Sequence, residues 1–171
     1  QFILFAAFGL RDAITPIVSF NHRMRSKERV RDGIKYGLIY TLIITVVGTV
    51  VLEIFANPFA KIFGLSGVTQ QLCVSAIKVI SISFVFAGAN IAFQGIFQAL
   101  EGGMESLFIS ICRQFLFVLP VAWGFSLIAM KDISYIWLVW MTFPIAEAVS
   151  CVIACVFMKR IDRRKIQSLN K

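Results

Sequence analysis

Apolar residues fill this chain in five long stretches that few charged residues interrupt. Apart from a first stretch near residues 2–21, the runs with no charge or one charge are 36–52 with 17 residues, 79–100 with 22, 114–130 with 17 and 133–158 with 26. A helix needs roughly 20 apolar residues to cross a bilayer core of about 30 Å. Each stretch therefore predicts one membrane-spanning helix.

The pattern predicts an all-α integral membrane protein with five transmembrane helices. Their expected bounds are 2–21, 34–55, 71–100, 106–129 and 133–158, followed by a basic tail at 159–171. Apolar residues surround each predicted helix instead of forming one stripe, as is typical where lipid is the outer solvent. The β-branched residues in these segments would favour strands in water. In a bilayer, however, backbone N–H and C=O groups must form hydrogen bonds within their own segment, so helices are favoured. The short alternating segments of a β-barrel are not visible.

Composition supports a membrane protein and excludes several other classes. Hydrophobic residues make up 58% of the 171 residues, charged residues 15%, and the mean hydropathy is +0.83. A soluble domain carries about 25% charged residues. A disordered chain, a disulfide scaffold and an ordinary cytosolic enzyme are therefore excluded. The four cysteines form no CxxC pair and no metal signature.

Basic residues are concentrated in two segments that predict the orientation. Residues 22–35 and the tail 159–171 each hold six Lys or Arg, together 12 of the 17 in the chain. The positive-inside rule places both segments in the cytoplasm. Four helices separate them, an even number, so the connections 57–70 and 131–132 should face outward. The acidic connection Glu101–Glu105 should then be cytoplasmic. A nucleic-acid site would be the other reading of a basic arm, but no nucleic-acid motif accompanies it, so no nucleic-acid partner is expected.

Two long strings carry a family resemblance. FGLRDAITPIVSFNHRMRSKERVRDGIKYG, residues 8–37, resembles the second helix of the C-terminal lobe of multidrug and toxic compound extrusion (MATE) transporters, with its basic loop. FQALEGGMESLFISICRQFLFVLPVAWGF, residues 97–125, resembles a short loop and the following helix of that lobe. The strongest parts are Pro16–Asn21 and the run from Arg113 and Gln114 to Pro120. The resemblance covers nearly the whole chain.

The resemblance implies a fold and a place within it. Members of the family have 12 transmembrane helices in two six-helix lobes around a central cavity, and this chain would hold helices 8 to 12. The first residue is Gln1, inside an apolar run without signal-peptide features, so we expect a larger polypeptide whose N-terminal lobe is absent here. The family often has Gly where this chain has Arg23 and Glu101. Some members carry a coupling carboxylate in helix 10, where Phe86–Asn90 has none.

Three amides in the third predicted helix are candidates for contacting substrate. Asn90, Gln94 and Gln98 recur every four residues and so share one helix face. Phe93 and Phe97 flank that face, and aromatic faces attract organic cations. Contacts that hold neighbouring helices together are the alternative role for these amides. Small residues on the opposite side should allow close helix packing, namely Gly88, Ala92 and Gly95.

Two carboxylates are candidates for coupling transport to an ion. Asp12 lies within the first predicted helix, and Glu147 is near the middle of the fifth. Ionisable groups at membrane depth are functional candidates by default, and desolvation favours the neutral, protonated form of an acid. A neutral Glu147 bonded to a neighbouring helix is the alternative. Because adjacent helical residues point about 100° apart, Arg11 and Asp12 are not expected to pair.

Other polar residues and prolines in the spans are expected to be structural. Arg11 should hold a neighbouring helix, Arg113 should reach the interface by snorkelling with Gln114 beside it, and no metal site is expected. Three prolines interrupt different spans and should kink their helices, namely Pro16, Pro120 and Pro144.

The predicted function is secondary active antiport in the plasma membrane, exporting cationic, amphipathic drugs in exchange for H⁺ or Na⁺. No phosphate-binding loop, paired acids or HExxH motif occurs, so neither ATP-driven transport nor an enzyme is expected. No cofactor is expected beyond the coupling ion, and the partners are the substrate, the lipid bilayer and the missing N-terminal lobe. A lipid-linked oligosaccharide flippase of similar architecture is the alternative.

Overall fold

Six α-helices form five long spans in the computed structural model, which describes residues 2–170 except for the side chains of residues 2, 116, 133 and 170. The helices are α1 Phe2–Arg23, α2 Lys27–Ile62, α3 Gly67–Ala99, α4 Gly103–Ile111, α5 Leu119–Ala129 and α6 Ile136–Ile161. Each span is long and apolar enough to cross a membrane, with α4 and α5 forming the fourth together. No strand occurs within residues 2–170. The all-α membrane fold is confirmed.

Helix α3 is the centre of the bundle, packing against α1, α2, α4 and α6. From Ala87 to Leu100 every side chain except that of Gln98 is buried. A helix that is covered on all sides has no need of an apolar stripe. This explains why the apolar residues of this segment surround the whole helix.

Small residues let two neighbouring helices approach α3 closely, as predicted. Gly88 lies against the side chain of Thr45 in α2, and a Cβ at Gly88 would collide with it. Gly95 lies against the aliphatic part of Arg11 in α1, and its Cβ would also come within 2.9 Å of Thr15 Oγ1. Backbone contact of this kind is what small residues allow in membrane bundles.

Helix α2 is much longer than the expected 34–55. It begins at Lys27, so most of the predicted basic loop 22–35 is helical and the turn is only residues 24–26. It also continues past Pro58 to Ile62, which shortens the expected 57–70 connection to residues 63–66. Both expectations were wrong because charge and proline end a hydropathy run without ending a helix.

Two of the three predicted prolines do not break their helices. Pro16 lies inside α1 and Pro144 inside α6, and both helices are continuous. Pro120 is at the start of α5, directly after the π-helical segment Cys112–Val118. Proline lacks the N–H that would bond the carbonyl four residues earlier, and π-helical turns are one way to accommodate such an interruption. The predicted fourth helix, 106–129, is thus three helical segments in series.

The expected basic tail also folds. Helix α6 continues to Ile161 and is followed by a π-helical turn, Asp162–Ile166, and a short 3-10 turn, Gln167–Asn170. Ile166 is fully buried in the same apolar core as Phe97 and Leu100. Residue 171 of the predicted tail lies outside the described residues.

Lys165 also ties this C-terminal segment to the end of α3. Lys165 Nζ donates hydrogen bonds to the carbonyl oxygens of Leu100 at 2.7 Å and Glu101 at 2.9 Å. The last carbonyls of a helix have no partner within the helix, and a cation is favoured beside them.

In the connection between α5 and α6, Ser134 N–H donates to Asp132 Oδ1 at 2.9 Å and lowers the pKa of Asp132.

Candidate functional site

A charged network lies between three spans. Arg113 Nε donates a hydrogen bond to Glu147 Oε1 at 2.6 Å, which is also an ion pair. Asn90 Nδ2 donates to Glu147 Oε2 at 2.8 Å and to the Glu147 carbonyl oxygen at 3.0 Å. The side chains of Arg113 and Glu147 are only 18% and 11% exposed. The carboxylate therefore has a donor on each of its oxygens.

The three members come from different elements at similar depth. Asn90 belongs to α3, Arg113 to the π-helical segment, and Glu147 to α6. Glu147 is residue 12 of the 26 in α6, and Arg113 is residue 11 of the 27 in the span Gly103–Ala129. Unpaired charges near the middle of a membrane span are costly, so pairing makes both tolerable.

A cleft of about 410 Å³ opens beside this network. It brings together Arg113, Gln114 and Glu147 with a mostly apolar wall from four spans. That wall consists of Leu4, Ile80, Ser83, Phe84, Ala87, Val118 and Phe143. A concave, apolar site with a few converging polar groups is the usual form of a small-molecule site.

Buried oxygens without a hydrogen-bond partner add acceptors to the same region of the bundle. Asn90 Oδ1 has no partner within the described residues, although its amide nitrogen is bonded to Glu147. On α6, Thr142 Oγ1 and Ser150 Oγ are also unpartnered within the described part of the chain. Buried polar atoms are nearly always bonded, so an acceptor of this kind is a position where a proton donor, water or a cation can bind.

The predicted amide face separates into different environments. Asn90 and Gln94 are buried, whereas Gln98 is exposed and donates from Nε2 to Ser106 Oγ at 3.2 Å. Of these three amides, Asn90 alone is bonded to the charged network. Gln98 instead ties α3 to α4.

Phe93 and Phe97 belong to the core. Their rings stack with centroids 6.0 Å apart, and both side chains are buried in an apolar cluster to which α1, α2, α3, α4 and α6 contribute. They do not line the cleft, whose aromatic side chains are Phe84 and Phe143. The packing therefore favours a core role for this pair over the predicted cavity role.

The expectation that Arg11 and Asp12 do not pair was wrong. Arg11 donates from Nε and Nη2 to Asp12 Oδ1 at 2.9 and 2.7 Å, and its guanidinium lies 5.1 Å from the Phe8 ring centroid. The arginine side chain is long enough to bend across the 100° between neighbouring positions. Asp12 is 65% exposed and does not line the cleft.

Sequence reasoning missed the partnership of Arg113 with Glu147. Snorkelling to the interface was expected for Arg113, but its side chain turns inward to the carboxylate. One signal was present: each is an isolated charge near the middle of its own span, and such charges pair with one another. A second carboxylate contact, from Ser81 Oγ to Glu53 Oε1 at 2.5 Å, joins α2 and α3 elsewhere.

The bundle of five long apolar spans, with a cleft between them, defines a multi-pass α-helical membrane protein. The MatE family profile matches residues 1–123, and the chain belongs to the MatE family. A search of curated proteins finds no significant match.

Solved structures of similar fold are transporters. The chain is similar to the inward-facing conformation of a multidrug resistance MATE family transporter of the MOP superfamily, with a TM-score of 0.84, 19% identity, and coverage of 99% of this chain and 38% of that one. It is also similar to an outward-facing conformation of a multidrug resistance MATE family transporter of the MOP superfamily. The TM-score is 0.81 and the identity 19%, with coverage of 96% of this chain and 35% of that one. A third similar structure is a MOP superfamily transporter from Pyrococcus furiosus, described as having a binding pocket of reverse polarity. Its TM-score is 0.78 and its identity 20%, with coverage of 96% of this chain and 36% of that one. The chain spans less than two fifths of each.

Proposed function

We propose that the whole protein containing this chain is a secondary active antiporter that exports organic cations in exchange for H⁺ or Na⁺, with Glu147 as a coupling group. One observation carries the proposal. The Glu147 carboxylate is held between donors from two other spans and borders a cleft inside the bundle. Membership of the MatE family supports transport as the general activity.

The charges of the network suggest how coupling would work. With Glu147 ionised, Arg113 and Glu147 together are neutral. A proton or Na⁺ bound at the carboxylate would compete with Arg113 and leave the guanidinium without its partner. Buried charges without partners are costly, so ion binding would favour a different arrangement of the spans that supply these two groups. Such a difference between two states is what an alternating-access cycle requires.

The composition of the cleft supports an organic, partly apolar substrate. Phe84 and Phe143 line it together with aliphatic side chains, and aromatic faces attract organic cations. A lipid-linked oligosaccharide flippase is less well supported. Its pyrophosphate would call for several cations, whereas Arg113 is the only cationic side chain among the described cleft residues, and Glu147 neutralises it.

The test uses the full-length protein reconstituted in liposomes, with ethidium as the organic cation and a pH or Na⁺ gradient as the driving force. We expect Glu147→Gln to slow gradient-driven exchange by roughly 100-fold, the low end of what a proton-transferring side chain contributes. Ethidium binding, measured by fluorescence polarisation, should persist. Glu53→Gln is the matched control, because Glu53 is a helix carboxylate bonded to Ser81 outside the cleft.

The outcomes separate the function from the mechanism. Exchange by Glu147→Gln at the rate of the unaltered protein would reject Glu147 as the coupling group. Absence of ethidium exchange by the unaltered protein under either gradient would reject the antiport function itself.

A further inference from the structure

Four basic side chains at the end of α6 surround a cleft that the transport proposal does not use. The cleft has a volume of about 450 Å³ and is lined by Lys159, Arg160, Arg163, Arg164 and Val156. The chain remains helical from α6 into the π-helical turn that follows Ile161. Residues three to five apart therefore stay on one side of it. The fold thus gathers these charges at one position.

Among the described residues, these four charges have no side-chain partner. Within the described residues, none of the four side chains makes an ion pair or hydrogen bond. The nearby acid, Asp162, is engaged elsewhere: Arg31 Nη2 lies 3.6 Å from Oδ1, and Gln167 Nε2 donates to Oδ2 at 3.0 Å. Lys165, the other basic residue of this turn, is bonded to the carbonyls at the end of α3. The cleft therefore has four positive charges without a counter-charge.

An exposed apolar strip leads into the cleft. Val152 and Val156 are 64% and 59% exposed and lie one turn apart on α6, so they share a face. The same face continues to Arg160 one further turn along. This face is apolar along the membrane span and strongly basic where the span ends.

We propose that this cleft binds the headgroup phosphate of an anionic glycerophospholipid, whose acyl chains lie along Val152 and Val156. The planar guanidinium group of an arginine can donate two parallel N–H hydrogen bonds to two oxygens of one phosphate. Basic clusters directly beyond a membrane helix are attracted to anionic lipids. In a zwitterionic lipid the phosphate already has an ammonium group beside it, so such a lipid should bind this cleft more weakly than an anionic lipid. Inorganic phosphate has no chain to occupy the valine strip.

The test measures lipid binding by the purified full-length protein in maltoside detergent. Fluorescently labelled phosphatidylglycerol is followed by anisotropy, with unlabelled phosphatidylglycerol, phosphatidylcholine and inorganic phosphate as competitors. We expect only phosphatidylglycerol to displace the probe efficiently. The double variant R160Q/R163Q should bind roughly 30-fold more weakly, which corresponds to about 1 kcal/mol for each charge at a membrane surface.

The matched control is R23Q/R25Q, which removes two exposed basic residues that do not line the cleft. It should bind like the unaltered chain. An equal loss in both variants would overturn the proposal in favour of diffuse attraction to positive charge. Equal competition by inorganic phosphate or by phosphatidylcholine would overturn the lipid assignment. If far-UV circular dichroism shows that R160Q/R163Q is unfolded, K159Q/R164Q carries the same expectation.

Discussion

Two helices in this chain end at a side-chain-bearing residue with left-handed backbone geometry. Arg25 after α1 has φ 54° and Glu101 after α3 has φ 59°, whereas the corresponding position after α2 is Gly64 with φ 70°. After α3, the Gly102 N–H bonds Phe97 O at 2.6 Å and the Glu101 N–H bonds Gln98 O at 3.1 Å. This is the Schellman arrangement, in which glycine is the usual residue.

That geometry accounts for one of the two departures from the family pattern. The family resemblance implies glycine at position 101, and the positive φ of Glu101 is a backbone geometry that favours glycine. The same geometry does not account for position 23, because Arg23 is the last residue of α1 and the residue with left-handed backbone geometry is Arg25. Nothing in the structure favours glycine at position 23.

Glu101→Gly should raise the free energy of unfolding by about 1 kcal/mol, because it removes the cost of a side chain at positive φ. Denaturant unfolding of the purified chain in detergent measures the difference. Glu101→Gln is the control, since it removes the acid from the helix C-terminus but keeps the side chain. If the glycine variant is no more stable than the glutamine variant, the backbone explanation fails.

At the scale of elements, α3 determines how the spans are arranged. Its small residues admit α2 and α1 to backbone contact, and its Asn90 bonds Glu147 in α6. The fully buried Thr45 also donates within α2, to Thr41 O at 2.9 Å. Thr45 is therefore held on both sides and has little room to move away from Gly88.

Gly88→Ala should destabilise the chain by about 1 to 3 kcal/mol, the usual cost of overpacking. Alanine has a higher helix propensity than glycine, so the effect must come from the collision with Thr45. Thermal unfolding in detergent measures it. Gly9→Ala in α1 is the matched control, because nothing lies within 4 Å of a Cβ added there. Equal stability of the two variants would show that α2 and α3 are not in close contact.

At the scale of the whole molecule, the two basic segments lie at the same end. Arg31 near the start of α2 pairs with Asp162 after α6 at 3.6 Å. Lys165 binds the α3–α4 connection, which places Glu101 at that end as well. This agrees with the even number of spans between the basic segments. A lysine of the C-terminal segment thus bonds the backbone of the acidic connection at this end.

We predict that this shared end is cytoplasmic, as the positive-inside rule requires. Single cysteines at Ser26, Ser66 and Ser168 in an otherwise cysteine-free full-length protein can be treated with an impermeant thiol reagent on intact cells. Only position 66 should react. Labelling at 26 and 168 but not at 66 would invert the orientation, and labelling at only one of 26 and 168 would contradict the common end.

The sequence by itself determined the number and nature of the spans. Transfer of apolar side chains from water to lipid adds up residue by residue along the chain, so the five helices are visible in the hydropathy of consecutive residues. The small residues Gly88 and Gly95 also predicted close packing, which the structure confirms. The exact helix ends were not visible, because Lys35 and Glu53 bound the uncharged run while α2 extends from Lys27 to Ile62.

Only the tertiary structure decided which polar side chains meet. Glu147 is 34 residues from Arg113 and 57 from Asn90, so their contact depends on the rotation and depth of three packed spans. Those are set by side-chain fit over the whole interface between helices, which no local pattern contains. The cleft for the proposed substrate and the basic cleft at the end of α6 arise in the same way, from surfaces that exist only once the helices are packed.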